Sequence, residues 1–300
     1  MFDEEWQTDV RLSWSTAPKV HLSMIDELRQ TVLGLFKSPS PYLETVTDLQ
    51  LALPCTYDFT VVSEVIPSDL LNRLRHLRLQ VVDATGAYGH RWYGNISYDE
   101  ANIENSNLQE AYPNGDHSSG IQSIVRRCTN LKTLGVSVAQ EVHLDLAAWT
   151  PNGGGLETLY LHRTTHTAEE LIRIMSPAHD FRGADRLYAI WLEEVVLKSG
   201  TWLQVFTHLL ARPSFSYLRV DNLGYDKHGA SSHLWETPDY PTEESEHIWS
   251  LSKTDHTSLN RLVRHLIAKA GGQDLYPSEM NEQEPLEYWD SDAHSTDLDE

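Results

Sequence analysis

Cysteine is nearly missing from this chain. Two thiols in 300 residues, Cys55 and Cys128, form no disulfide framework and fit a reducing compartment, so a cytoplasmic or nuclear location is expected. Long apolar runs are missing as well, and no stretch approaches the ~18–20 residues of a membrane span. The opening residues, MFDEEWQTDVRLSW, are acidic and lack an apolar h-region, which argues against a secretory signal and leaves the Asn95-Ile-Ser97 sequon idle. Positive charge is scarce. The 23 Lys and Arg stand against 44 Asp and Glu, and a net charge of −21 argues against nucleic acid as a partner. Mild basic clusters at Arg73, Arg75 and Arg78 and at Arg126, Arg127 and Lys132 read as a solvated face.

Signatures of chemistry are equally thin. His162-Arg-Thr-Thr-His166 has the i, i+4 spacing of a helical metal pair, but lacks the glutamate of HExxH and starts at a strand end. One solvent-facing and one loop histidine are expected there. Asn152-Gly-Gly-Gly155 is followed by neither Lys-Ser nor Lys-Thr and reads as a turn. No Gly-x-Ser-x-Gly elbow places a nucleophile, and the terminal acids lack EF-hand spacing. The reading is therefore not an enzyme, with no metal and no cofactor.

What the chain does have is one apolar spacing, Leu-x-x-Leu-x-Leu, six times over. The units are Val46–Leu51, Leu74–Leu79, Leu131–Val136, Leu156–Leu161, Leu192–Leu197 and Phe215–Val220. As a strand, the last two apolar positions of each unit point to one side and the polar residues to the other. Their fourth positions fall at 49, 77, 134, 159, 195 and 218, so the repeat is irregular and carries insertions. Helical patterns separate several units: Thr60–Ile66, Ser68–Leu74, Ile121–Cys128, Thr167–Met175 behind a Thr167/Glu170 capping box, and Trp202–Leu210 before Pro213. Ser118 and Ser119 are candidate N-caps. The spacing predicts an α/β fold: an irregular leucine-rich-repeat solenoid of short parallel strands alternating with helices, with helical caps at both ends.

The expected organisation follows from composition. Residues 1–41 form an N-terminal leader with a capping helix, Met24–Phe36, laid over the edge of the first strand. Residues 42–225 form the solenoid, with an insertion loop at about 83–117 that lacks any helical or strand period. Residues 226–276 hold a polar loop and a C-terminal capping helix, Leu251–Ala270, stopped by Gly271-Gly272. Residues 277–300 are an acidic mobile tail, and from Glu236 onward sixteen acids face four bases.

If the sheet lines a concave binding face, alternation names its outward residues. They are Asp48, Gln50 and Ala52; His76, Arg78 and Gln80; Thr133, Gly135 and Ser137; Thr158, Tyr160 and His162; Glu194, Val196 and Lys198; Tyr217, Arg219 and Asp221. Tyr and Arg carry interface energy most often. Arg78, Tyr160, His162, Tyr217 and Arg219 are accordingly the candidate partner-binding residues, and the partner is a protein.

The strings LRHLRLQVVD, RRCTNLKTLGVSV, WTPNGGGLETLYL, LKSGTWLQVFTHLLARPSFSYLRVDNLGY and SEHIWSLSKTDHTSLNRLVRHLIAKAGGQDLYP resemble the leucine-rich part of F-box proteins from filamentous fungi, over roughly residues 43–280. The resemblance implies a ubiquitin-ligase substrate receptor. Its repeats would choose a protein for ubiquitination, and a short helical F-box would dock on the ligase adaptor and cullin. An F-box opens with Leu-Pro, and residues 1–41 contain no such pair; Leu53-Pro54 closes the first strand instead. The resemblance therefore reaches the recognition half. An adaptor-docking helix set, either within residues 1–41 or encoded upstream of Met1, is what separates this reading from its alternative. The alternative is a leucine-rich-repeat scaffold with no ubiquitin-ligase link.

Overall fold

The computed structural model describes residues 22–37, 41–82, 107–146, 149, 151–152, 155–176, 185–226, 248–250 and 252–271. The expected leader before residue 22, most of the insertion loop, the polar loop after residue 226 and the acidic tail lie outside these residues. Among the described residues eight strands make one open sheet: β1 (Asp48–Leu53), β2 (His76–Val81), β3 (Thr133–His143), β4 (Thr158–Thr167), β5 (Ala189–Glu193), β6 (Val196–Ser199), β7 (Tyr217–Asp221) and β8 (Gly224–Tyr225). Every pairing is parallel, and β1-β2-β3-β4-β5-β7 follow one another in chain order. Helices return the chain from β1 to β2, from β2 to β3, from β4 to β5 and from β6 to β7, whereas the described residues between β3 and β4 hold no helix. The described helices are α1 (Leu22–Lys37), α2 (Thr56–Val65), α3 (Ser68–Arg73), α4 (Asn107–Ala111), α5 (Ser119–Arg127), α6 (Ala168–Met175), α7 (Trp202–Leu210) and α8 (Lys253–Lys269).

Two features recur at each step of the main sheet, and a third in its last three units. The register never slips along the first five positions, so Leu49, Leu77, Leu134, Leu159, Ile190 and Leu218 form one rung. Just before each strand, one carbonyl accepts two successive amides of the next. Thr47 serves Arg75 and His76, Arg75 serves Lys132 and Thr133, Lys132 serves Glu157 and Thr158, Glu157 serves Tyr188 and Ala189, and Tyr188 serves Ser216 and Tyr217. After the last outward residue of the final three units the backbone turns through the left-handed region, at Arg163 (φ 56), Glu194 (φ 51) and Asn222 (φ 49). That corner aims the chain into a second ladder, in which Thr165–Thr167 of β4 pairs β6, and β6 pairs β8.

The corner corrects the fifth repeat. Leu192–Leu197 was expected to be the strand unit, but the strand in register with β4 and β7 is β5, within Leu187-Tyr-Ala-Ile190-Trp-Leu192. Leu192 fits both windows. The second window runs across the left-handed Glu194 into β6, so Val196 and Lys198 leave the main face. Fourth positions at 159, 190 and 218 are then 31 and 28 residues apart, close to the 28 between 49 and 77.

The core lies between sheet and helices. Leu77, Leu79, Leu134, Val136, Leu159, Leu161, Ile190 and Leu192 are at most 1 % exposed, each contributing about 1.5–3 kcal/mol by burial. At the two sheet ends Leu49, Leu51, Leu218 and Val220 are only half-buried. The Thr167/Glu170 capping box forms as expected, and Thr201 and Gln204 build the same device on α7. Ser118 makes no side-chain cap on α5, because it already has helical backbone angles. Gly120 has another role: a Cβ there would meet the Thr60 amide nitrogen of α2 at 2.2 Å, so only glycine lets the two helices come this close.

The later part of the expected insertion loop is built into the fold. Asn114 is buried, its side-chain oxygen accepts the Thr56 amide (2.9 Å), and its carbonyl accepts the Thr56 hydroxyl (2.9 Å). Residues with no period of their own are thus ordered by capping another helix. At the N-terminal side α1 packs on α2, not along β1: Arg29 Nε donates to buried Asp58 (2.7 Å), and its guanidinium lies 4.9 Å from the Tyr57 and Tyr112 ring centres. At the other side α8 packs on α7 through fully buried Asp255, which accepts from the Leu203 amide, the Tyr225 hydroxyl and the Ser250 hydroxyl. No described helix is long and apolar enough to cross a membrane.

Candidate functional site

The face of the sheet turned away from the helices carries three rows of side chains, read straight from the register. The first is Asp48, His76, Thr133, Thr158, Ala189 and Tyr217. The middle is Gln50, Arg78, Gly135, Tyr160, Trp191 and Arg219. The third is Ala52, Gln80, Ser137, His162, Glu193 and Asp221. Arg78, Tyr160 and Arg219 therefore share one row, with Tyr217 on one side of it and His162 on the other.

Trp191 is the member that the misphased fifth unit concealed. It stands between Tyr160 and Arg219 and contacts both: its ring meets Tyr160 edge to face at 5.1 Å, and the Arg219 guanidinium lies 4.1 Å over it. Contacts of each kind are worth about 0.5–1.5 kcal/mol beyond area burial, and together they hold the three side chains in one arrangement. The Trp191 indole nitrogen is buried with no hydrogen-bond acceptor. Tyr160 reaches Glu193 at 3.5 Å, and burial, reinforced by that carboxylate, pushes its phenol up to about 12. Tyr160 is thus a neutral hydroxyl at any physiological pH. On its other side Gly135 leaves a gap that the Arg78 stem and Tyr160 ring approach, lying 3.5 and 3.7 Å from where a Cβ would be.

The third row contains a polar chain. Ser137 Oγ lies 2.9 Å from His162 Nδ1, and His162 Nε2 lies 3.1 Å from Glu194 Oε1. Glu194, expected on the outward face by strand alternation, instead turns back from the corner, where Arg163 Nε holds both its oxygens at 3.0 and 3.1 Å. Hydroxyl, imidazole and carboxylate in sequence invite a nucleophilic reading. Against it, Ser137 is 7 % exposed and sits in mid-ladder between β2 and β4, and the carboxylate is committed to Arg163. The chain fixes the His162 ring on the face.

His166 was expected in a loop and is instead fully buried in β4, its Nε2 3.0 Å from Thr164 Oγ1. The left-handed Arg163 between the two histidines breaks strand alternation, which sends one to the face and the other to the core. Burial, with His143 nearby, lowers His166 to about 3. Among the described residues no group of three or more His, Cys, Asp or Glu could hold a metal ion. Cys55 and Cys128 are fully buried, and desolvation raises both thiols to about 12, which makes them poor nucleophiles.

A scan against protein-family models, a search of curated proteins and a search of solved structures each return no match.

Proposed function

We propose that this chain is a protein-recognition module of the leucine-rich-repeat type, a solenoid with helical caps, and that it serves as the substrate-binding part of an F-box-type ubiquitin-ligase receptor. The observation that carries the recognition half is the middle row. Arg78, Tyr160, Trp191 and Arg219 stand in one register on parallel strands, and the last three are organised by contact with one another. Tyr, Trp and Arg are the residue types that dominate interface energy, and preorganisation reduces the entropy lost on binding. His162, held between Ser137 and Glu194, supplies a polar contact of fixed direction beside them. The strand–corner–strand unit, which occurs three times with its corners 31 and 28 residues apart, supports the leucine-rich-repeat reading. The ubiquitin half rests on the sequence resemblance. The second reading is a scaffold without ubiquitin transfer; the chain's Leu53-Pro54 pair bears on neither, since Leu53 is 3 % exposed at the end of β1, inside the sheet.

Affinity capture of the full chain from a fungal lysate tests both halves. Recovery of a ligase adaptor and cullin supports the receptor; partners without them leave the scaffold. Replacing Tyr160 and Arg219 together by alanine should weaken capture at least tenfold with unchanged far-UV circular dichroism. Unchanged capture by that variant would reject the outward face as the binding surface.

A further inference from the structure

Helix α8 is a basic element in an acidic chain. Against the net charge of −21 it carries Lys253, Arg261, Arg264 and Lys269, and its one acid, Asp255, is buried against α7. At 100° per residue Lys253, Thr257, Arg261 and Arg264 fall within about 80° of one another, opposite the buried Asp255, Leu259, Leu262 and Leu266. All four of that outer group are exposed. Lys269 is already tied back to the fold by the Pro213 and Phe215 carbonyls. Among the described residues no carboxylate pairs with the other three cations. Arg261 stands three residues from Arg264, a like-charge pair that costs the helix stability unless a counter-charge is supplied.

The sequence just beyond the helix holds that counter-charge. Residues 273–300 contain ten Asp and Glu and no Lys or Arg. The chain leaves α8 through Gly271 in the left-handed conformation (φ 98), the device that ends a helix and turns the chain off its axis. Arg264 lies about 10 Å back along the axis from that turn, and Lys253 about 27 Å back. About eight extended residues span the longer distance, and the series Asp274, Glu279, Glu282, Glu284 and Glu287 begins three residues past Gly271. The tether gives these carboxylates a local concentration of about millimolar at the basic face, an advantage that no separate anionic partner shares. The outward arginines of the sheet compete poorly for them. Arg78 and Arg219 share their face with Asp48, Glu193 and Asp221, which repel an acidic segment.

We propose that residues 274–287 lie back along the outer face of α8, with their carboxylates on Lys253, Arg261 and Arg264. The pairs are exposed, so each is weak and screened by salt, and docking depends on their number. A spin label on Ser291→Cys reads it in the full chain, because both native thiols are fully buried and leave the new one to react alone. At about 20 mM NaCl the label should broaden the amide resonances of residues 253–257 at least twofold more than at about 500 mM NaCl. Tethering alone would broaden chiefly the residues next to Gly271, and equally at both salt concentrations.

Arg261→Glu with Arg264→Glu should abolish the low-salt broadening, and Glu282→Lys with Glu284→Lys should do the same without touching any described contact. All four substitutions together should restore it, a rescue that misfolding cannot mimic. Four results would overturn the proposal: no broadening of residues 253–257 at low salt, broadening that ignores salt or charge reversal, no rescue in the fourfold variant, or broadening of β2 and β7 in place of α8.

Discussion

The two terminal helices are fastened in similar ways and finished in opposite ones. Each is tied to its neighbour through a buried carboxylate, Asp58 opposite α1 and Asp255 within α8. Outward, α8 presents Asn260, Arg261, Arg264, His265 and Lys269, with Val263 as its exposed large apolar residue. α1 presents Met24, Leu28 and Leu35. The fastening decides whether a helix docks; the composition of its far side is set independently of it. The far side of α8 is largely polar, while that of α1 carries three large apolar residues.

The chemistry of the fastening also differs, and the largest expected effect lies there. Asp255 gathers neutral donors only, so Asp255→Ala would leave the Leu203 amide and the Tyr225 and Ser250 hydroxyl protons without their acceptor, although the two hydroxyl oxygens would still accept from the Trp202 and Ser252 amides. A loss of about 3–5 kcal/mol is expected in urea unfolding. A loss below about 1 kcal/mol would mean that α8 is held by its leucines alone. At the other end Arg29→Ala strands the Asp58 charge, which still accepts the Cys55 amide; about 3 kcal/mol is expected. Arg29→Ala without effect would show that the ion pair contributes nothing net and that Leu33 and Phe36 carry the docking.

Acid should act through two histidines that the fold keeps neutral. His166 and His208 are both lowered from the ordinary 6.5, to about 3 by burial and to about 4 by burial beside Arg212. In the unfolded chain both bind protons below pH 6.5, whereas the folded chain does not. Stability is therefore full above pH 6.5 and falls as the pH drops toward 4, at up to about 1.4 kcal/mol per pH unit for His166 and less for the half-buried His208. Replacing His166 by leucine should flatten that slope. An unchanged slope in the variant would place the acid sensitivity in other groups.

The smallest expected effects fall on the outward sheet face, where side chains rest on the fold without holding it. Tyr160→Ala alone removes the edge contact with Trp191 and the 3.5 Å approach to Glu193. Stability should fall by about 1 kcal/mol while the partner affinity proposed above falls more, a split that thermal unfolding and binding on the same variant would resolve. Equal losses in both would assign Tyr160 to the scaffold.

The parallel, helix-returned sheet was legible in the chain because apolar residues two apart can be buried only on a strand face, and six such pairs separated by helical patterns leave few alternatives. All five proposed site residues could be assigned to the outward face by counting alone. Trp191 could not be found that way. Leu187–Leu192 and Leu192–Leu197 satisfy the spacing equally, and only the left-handed corner at Glu194 separates strand from continuation. Asn114 and Gly120 were illegible for a related reason. A cap on a helix 58 residues away and a glycine against another helix's backbone leave no periodic trace. What the sequence by itself determined is which residues are inside, since that follows from transfer free energy and local period. The tertiary structure alone decided which outward residues meet, because those meetings depend on register between strands and on corners whose backbone angles no hydrophobic pattern records.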